Sequence, residues 1–184
     1  MIEQLLLASP MAIIVVGAFV LLLISHSRRF NLDRLNLIAV FFLVLSSIIQ
    51  FTMFKSNNIE FLFSDIFGDT FILDTFSRIF DLMFTIGAIL TLLINNDYFK
   101  SRHYFNGEYF ALILFSVFGM MMLSHAHELV TAFIALEIAS LSIYALVGYH
   151  KNNRVSSEAM LKYMVLGSMT GAFFMLGTAL IYGA

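Results

Sequence analysis

The chain has 184 residues, of which 60% are apolar and 12% are charged, and its mean hydropathy is +0.92. Soluble domains carry about 25% charged residues, and a soluble fold of this size has too little interior for so many apolar side chains. The composition therefore excludes an ordinary soluble protein and predicts an integral membrane protein whose surface is partly solvated by lipid.

Charge and cysteine content exclude further classes. The formal net charge is −2 and basic residues do not cluster beyond short loops, so nucleic acid is not an expected partner. The absence of cysteine excludes disulfides, thiolate chemistry and cysteine-ligated iron–sulfur clusters.

Six apolar segments are long enough, or nearly so, to cross the ~30 Å hydrocarbon core of a bilayer as helices. They occupy residues 6–25, 35–54, 76–95, 108–124, 129–149 and 159–183. In the first of them, Ser9 and Pro10 are typical of a helix start, with serine as N-cap and proline in the first turn. The predicted fold is all-α, a polytopic bundle of about six transmembrane helices that forms a single transmembrane domain over residues 1–184.

A different kind of segment separates the second and third predicted helices. Residues 59–73 are too polar to cross a bilayer and too aromatic for a solvated linker. The stretch FLFSDIFGDTFIL favours a short extramembrane hairpin that turns near Gly68 and Asp69. Asp74 follows as the predicted N-cap of the third helix.

Basic residues in the short loops predict the orientation, because they favour the cytoplasmic side. With the N-terminus outside, seven basic residues lie inside and two, Lys55 and Arg78, lie outside. The seven predicted inside are Arg28, Arg29, Arg34, Lys100, Arg102, Lys151 and Arg154. The sequence therefore predicts a multi-pass protein with its N-terminus outside.

Glu137 interrupts the fifth apolar segment, in AFIALEIASLSIY. It follows Leu129 by eight residues and precedes Tyr149 by twelve, which places it about 12 Å and 18 Å from the two helix ends. Charged side chains at such depth cost about 2.5–3.5 kcal/mol on insertion scales. Glu137 is therefore expected either to be protonated or to face a cation or a water-filled cavity.

Two interpretations of Glu137 remain open on residue chemistry. It is a neutral group that joins helices by hydrogen bonding, or it belongs to an ion or proton path, as intramembrane ionisable residues usually do. Ser140 and Tyr144, three and seven residues later, extend a possible polar lining along the same helix face.

Lys162 also lies inside a predicted helix, close to the start of the sixth segment. It can extend to the headgroups and pair with Glu158 four residues earlier, or it can contribute to a path. The helical rise leaves a depth gap of more than about 10 Å between Lys162 and Glu137, too long for a direct ion pair.

Other polar residues carry weaker signals. Asp81 is interpreted as forming a local pair with Arg78, three residues earlier. His125, His127 and Glu128 could ligate a metal, but they lie in a predicted tight turn where polar residues are expected, and no metal site is predicted. No catalytic or cofactor-binding motif is present either.

From Asp74 onward the sequence resembles a known family. The stretches LDTFSRIFDLM, NDYF, LEIASLSIYALVGY and LKYMVLG are similar to subunit N of respiratory complex I, the bacterial NADH-quinone oxidoreductase. The likeness covers roughly residues 70–183. Related antiporter-like subunits usually have an aromatic residue before the glutamate, whereas Leu136 stands there in this chain.

The resemblance implies a non-redox, proton-translocating membrane subunit of a translocase, in the cytoplasmic (inner) membrane of a bacterium. It implies no cofactor in this chain, with NADH, FMN, iron–sulfur clusters and quinone held by other subunits of the complex. Neighbouring membrane-arm subunits, including antiporter-like ones, and lipid are the implied partners. Glu137 and Lys162 fall on the family's proton-path positions.

The resemblance also implies two inverted repeats, the first of which begins near residue 108 and is incomplete here. The lysine proposed to pair with the family's glutamate lies on a later, broken helix. Because the sequence ends at ALIYGA, directly after an apolar segment, a fragment or truncated reading frame is expected. Two alternative functions are a homologous subunit of a Mrp-type cation/proton antiporter or membrane-bound hydrogenase, and a scaffold that transports nothing.

Overall fold

A computed structural model describes residues 8–25, 31–55, 61–62, 70–94 and 107–183. Within these residues the chain forms six helices and two short strands. The helices are α1 (Ser9–Ser25), α2 (Leu32–Lys55), α3 (Thr75–Ile94), α4 (Gly107–Ser124), α5 (Leu129–Val147) and α6 (Arg154–Gly183). Five of them, α2 to α6, are long and apolar enough to cross a membrane, while α1 is apolar but has only 17 residues. The predicted all-α fold of six membrane helices is confirmed.

Two helix starts follow the local sequence. Helix α1 begins at Ser9, with Pro10 in its first turn as predicted. At the start of α3, the Ser77 amide donates to Asp74 Oδ1 (2.7 Å) and the Asp74 amide donates to Ser77 Oγ (3.0 Å). This reciprocal capping satisfies amides that have no partner inside the helix, and it confirms the predicted N-cap at Asp74.

The segment between α2 and α3 contains an antiparallel strand pair, β1 (Phe61–Leu62) and β2 (Ile72–Leu73). The predicted hairpin-like segment is thus confirmed, while its turn near Gly68 and Asp69 lies outside the described residues. The chain beside β2 also pairs with the α4–α5 turn. The Ile72 amide donates to the His125 carbonyl, and the His127 amide donates to the Thr70 carbonyl, both at 2.9 Å.

We call this end of the bundle, comprising β2, the start of α3 and the α4–α5 turn, the hairpin end. The α5–α6 turn, residues 148–153, lies at the other end, because α5 runs from one end of the bundle to the other. Under the predicted orientation the hairpin end is the outer one.

Helix α4 forms the centre of the bundle and contacts α1, α2, α3 and α5. Six of its apolar side chains are buried among those of the first three helices. The buried residues that α4 contributes are Phe110, Ala111, Ile113, Leu114, Val117 and Met121. Helix α6, in contrast, packs against α5, and Gly171 and Thr178 are the buried residues along it.

Helices α4 and α5 approach each other closely at Gly119. A Cβ atom at this position would lie 2.5 Å from the Ala139 backbone nitrogen and 2.8 Å from its Cα. Backbone atoms cannot move aside as a side chain can, so a larger residue must push the two helices apart. Small residues at helix contacts allow this close packing in membrane proteins.

We expect Gly119→Ala to lower the free energy of unfolding of the complete protein by on the order of 1–3 kcal/mol, because the added methyl overpacks the α4–α5 contact. Unfolding in mixed detergent micelles measures the change. Gly87→Ala is the matched control: Gly87 lies on α3 with nothing within 4 Å of an added Cβ, and alanine there favours the helix by up to about 1 kcal/mol. Equal stabilities of the two variants would contradict the close contact.

Candidate functional site

Helices α5 and α6 run antiparallel and meet through aromatic side chains at both ends of their contact. The Phe133 ring stacks on Phe174 with centroids 6.0 Å apart, and the Tyr144 ring meets Tyr163 edge-to-face at 5.0 Å. Glu137 lies one helical turn after Phe133, so it belongs to the same α6-facing side of α5.

The Glu137 carboxyl group rests against the backbone of α6. A Cβ at Gly171 would lie 2.7 Å from Glu137 Oε1, so glycine leaves the space that the carboxyl group occupies. The side chain is half-buried at this helix contact. Among the residues that the structure describes, none forms a hydrogen bond or an ion pair with this carboxyl group.

Tyr144 occupies the same face two turns further along α5. It is 8% exposed, and its hydroxyl contacts α6 at Gly167. The predicted polar face therefore contains Glu137 and Tyr144, directed at two glycines on α6, with the half-buried Ser140 between them in the sequence. Gly167 and Gly171, four residues apart on α6, leave the space for this contact.

Lys162 is exposed and forms an ion pair with Glu158, Nζ to Oε1 at 2.6 Å. The predicted pairing with the residue four positions earlier is confirmed. Lys162 precedes Gly171 by nine residues, about 13 Å along α6. The structure thus keeps Lys162 apart from Glu137, as the helical rise indicates.

A second polar cluster lies at the hairpin end, where sequence reasoning found only weak signals. Asp81 is 4% exposed and His125 is 1% exposed, and the His125 Nε2 lies 2.8 Å from Asp81 Oδ2. The Ser124 hydroxyl lies 3.2 Å from Asp81 Oδ1 and can donate to it. The sequence spacing suggested Arg78 for Asp81 and did not indicate these partners, because they are more than 40 residues away along the chain.

Hydrogen bonds extend this cluster along α3 and across two further helices. The Thr85 hydroxyl contacts the Asp81 carbonyl (2.8 Å) and Gln50 Oε1 (3.3 Å). The Gln50 amide donates to Ser46 Oγ (3.1 Å), which donates to the Pro10 carbonyl (3.0 Å). The chain of contacts links α3, α2 and α1. Over the described ranges, no group of three or more histidine, aspartate or glutamate residues is arranged to hold a metal ion.

Comparisons with known proteins all indicate similarity to one family. Residues 126–184 match the family described as "NADH:quinone oxidoreductase/Mrp antiporter, TM". The NADH-quinone oxidoreductase subunit N 2 of Rhizobium meliloti is 34% identical over 174 residues, which cover 95% of this chain and 35% of that protein. The F(420)H(2) dehydrogenase subunit N of Methanosarcina mazei is 32% identical over 99% of this chain and 36% of that protein.

Solved structures agree with the sequence comparisons. A chain of respiratory complex I from Thermus thermophilus superposes with a TM-score of 0.76 at 27% identity, over 95% of this chain and 36% of that chain. An archaeal membrane-bound sulfane sulfur reductase shares the fold, with a TM-score of 0.81 at 24% identity, over 98% of this chain and 37% of that chain.

The similarity reaches further than the predicted residues 70–183, since the Rhizobium meliloti alignment covers 95% of the chain. The chain spans about a third of the length of these relatives. The matched family model, the relatives and the shared helical fold agree: this chain is similar to the membrane subunits of the NADH:quinone oxidoreductase/Mrp antiporter family, and the two relatives that it matches at 34% and 32% identity are named as subunits N.

Proposed function

We propose that this chain is part of a non-redox membrane-arm subunit of an NADH:quinone oxidoreductase. Electron transfer from NADH to quinone in other subunits drives proton translocation through this subunit, which makes the protein part of a translocase. NADH, FMN, iron–sulfur clusters and quinone bind elsewhere in the complex, and neighbouring antiporter-like subunits pack beside this one. The names of the relatives and their similarity over 95% of the chain support the proposal.

The observation that carries this proposal is the position of Glu137. It lies in the middle of a membrane-spanning helix, half-buried against α6, and no described residue neutralises it. A charged group at this depth is costly unless a cation or water faces it. We infer that a lysine from the rest of the complete protein lies beside Glu137, and that separating the two charges changes the lysine's affinity for a proton.

Lys162 is the proposed second group of the path, nearer the opposite end from the hairpin. Its ion pair with Glu158 is exposed, and we infer that water near the inner membrane surface reaches the ammonium group and exchanges protons with it. Glu137 meets α6 at Gly171, and Lys162 lies more than about 10 Å from that point along α6. We therefore infer that water or another residue connects Lys162 with Glu137. Ser140 and Tyr144 line the part of α5 between them.

The cellular setting follows the same proposal. The chain is a multi-pass membrane protein, and we propose that it lies in the cytoplasmic membrane of a bacterium with its N-terminus outside. This orientation places the hairpin end outside and the Lys162 end inside. The excess of basic residues at the inner loops supports it.

A second candidate is the same membrane role in a complex with another electron donor. The Methanosarcina mazei relative is named for F(420)H(2), and the matched family also includes Mrp antiporters. Proton translocation that depends on NADH oxidation supports the first candidate. Translocation in the same membranes that requires a different donor, or that exchanges with another cation without any donor, supports the second.

We expect Glu137→Gln in the complete, assembled protein to lower the number of protons translocated per electron by more than half. Glutamine keeps the size of the side chain but removes the negative charge that the proposed lysine needs. Proton uptake into membrane vesicles, measured together with NADH-driven quinone reduction, reports the change.

Glu128→Gln is the matched control for this experiment. It makes the same chemical change at an exposed position just before α5, where a charge is freely hydrated. We expect the control to pump as the unaltered protein does. Full pumping by an assembled Glu137→Gln variant would refute the proposed path and leave Glu137 as a neutral helix contact.

We expect Lys162→Gln to slow proton translocation as well, because the proposed path then lacks its exchangeable group near the inner end. Lys151→Gln, an exposed lysine in the preceding turn, provides the control for a general loss of positive charge. The initial rate of vesicle acidification at constant NADH oxidation measures both. Equal rates in the two variants would remove Lys162 from the path.

A further inference from the structure

The Asp81–His125 pair at the hairpin end is a buried ionisable site that the proposed path through Glu137 and Lys162 does not use. Its two side chains expose 5% and 2% of their surfaces, and they come from α3 and the α4–α5 turn. Both ring nitrogens of His125 and both carboxyl oxygens of Asp81 have a partner within hydrogen-bonding distance. These contacts therefore determine how many protons the pair carries.

The Ile72 carbonyl group requires a proton on His125 Nδ1. Nδ1 lies 3.0 Å from the Ile72 carbonyl oxygen, and a carbonyl oxygen can only accept a hydrogen bond. Nδ1 must therefore carry a proton. In a neutral imidazole only one ring nitrogen is protonated, so Nε2 would then be an acceptor.

The contact between His125 Nε2 and Asp81 Oδ2 must contain a further proton. The two atoms are 2.8 Å apart. Without a proton, two lone pairs would face each other at this distance, and a buried carboxylate would lack its compensating partner. The pair therefore holds one proton, either as imidazolium with carboxylate or as neutral imidazole with carboxylic acid.

A small cavity adjoins the pair. Its volume is about 20 Å³, and its lining includes Asp81, His125, Gln50 and Arg78 beside apolar Leu73. A cavity needs roughly 10–15 Å³ and two to four polar partners to hold one water molecule. The site therefore has both the room and the hydrogen-bonding groups for a water in contact with the pair.

The charges around the pair are arranged for holding and releasing a proton. Arg78 lies on α3 one turn before Asp81 and lines the same cavity, so its permanent positive charge favours the carboxylate that remains after a proton leaves. From α1 and α2, the cavity receives only uncharged groups, Pro10, Met11 and Gln50. His127 and Glu128, in the same turn as His125, are exposed.

We propose that Asp81 and His125 form a proton-binding site at the hairpin end, which holds one proton between imidazole and carboxyl and exchanges it with a water in the adjoining cavity. On release, the proton passes from the Nε2–Oδ2 contact to that water, leaving neutral imidazole and carboxylate beside Arg78, with a water molecule between them that donates to their facing lone pairs. On uptake the transfer is reversed. The site lies at the opposite end of α5 from Lys162, and the proton that it holds does not depend on the proposed function.

Magic-angle-spinning NMR of the complete protein in lipid bilayers, with ¹⁵N-labelled histidine, tests the proposal. Replacing every other histidine by glutamine leaves the His125 ring as the single source of signal without altering the pair. At alkaline pH, where free histidine is neutral, we expect either two protonated ring nitrogens or a neutral ring accompanied by the infrared band of a protonated Asp81 carboxyl. In Asp81→Asn we expect a neutral ring with a proton on Nδ1 alone.

A neutral ring beside an ionised Asp81 carboxylate at every pH from acid to alkaline would overturn the proposal, because the pair would then never hold the shared proton. A second measurement avoids changing the pair. Leu73→Phe reduces the cavity, and we expect it to slow exchange of the shared proton with D₂O several-fold, whereas Val16→Phe, on the exposed face of α1, leaves exchange unchanged. Equal exchange rates in the two variants would overturn the role of the cavity water. Neither readout involves transport, so these outcomes are separate from those of the Glu137 experiment.

Discussion

The orientation of α5 depends on the close contact between α4 and α5 at Gly119, and this contact decides which way Glu137 points. Ala139 is held against the Gly119 backbone, so this face of α5 is directed at the centre of the bundle. Glu137 precedes Ala139 by two residues, which at 3.6 residues per turn places it on nearly the opposite face. That face meets α6 at Gly171. In lipid, where apolar surface gives helices little reason to associate, such close packing is what fixes their relative rotation.

The Asp81–His125 pair and Glu137 differ in how many hydrogen-bond partners the described residues provide for them. At the hairpin end, Asp81 and His125 have partners for all four of their polar side-chain atoms, and the polar contacts continue through Thr85 and Gln50. A fully satisfied buried cluster of this kind stabilises one arrangement of its helices. Within the described ranges, the neighbours of the Glu137 carboxyl group are the glycine surface of α6 and aromatic side chains. The protonation of a carboxyl group without a fixed partner depends on the charges that come near it, as the proposed role of Glu137 in a proton path requires.

Helix α6 has a large exposed apolar surface. It contacts α5 through its glycines, while large apolar side chains such as Leu166, Phe173 and Leu180 are more than half exposed. Lipid or further helices can cover such a surface, and the relatives are about three times as long as this chain.

Local features were predictable because their causes lie within a few residues. The six helices follow from apolar length, the start of α3 from the Asp74 cap, and the Lys162–Glu158 pair from a spacing of one helical turn. The depth of Glu137 follows from the helical rise alone. These properties need no knowledge of how the helices are arranged.

By itself, the sequence determined a multi-pass helical membrane protein with one carboxylate at mid-membrane depth, because hydrophobic length and residue spacing are properties of single helices. Only the tertiary structure decided that Glu137 faces Gly171 and that Asp81 is held by His125. The partners of Asp81 lie more than 40 residues away, and the rotation of each helix about its axis is set by which small residues allow contact. Neither property can be read from periodicity, because α5 is apolar around most of its circumference and on α3 the buried stripe includes the polar residues Ser77, Asp81 and Thr85.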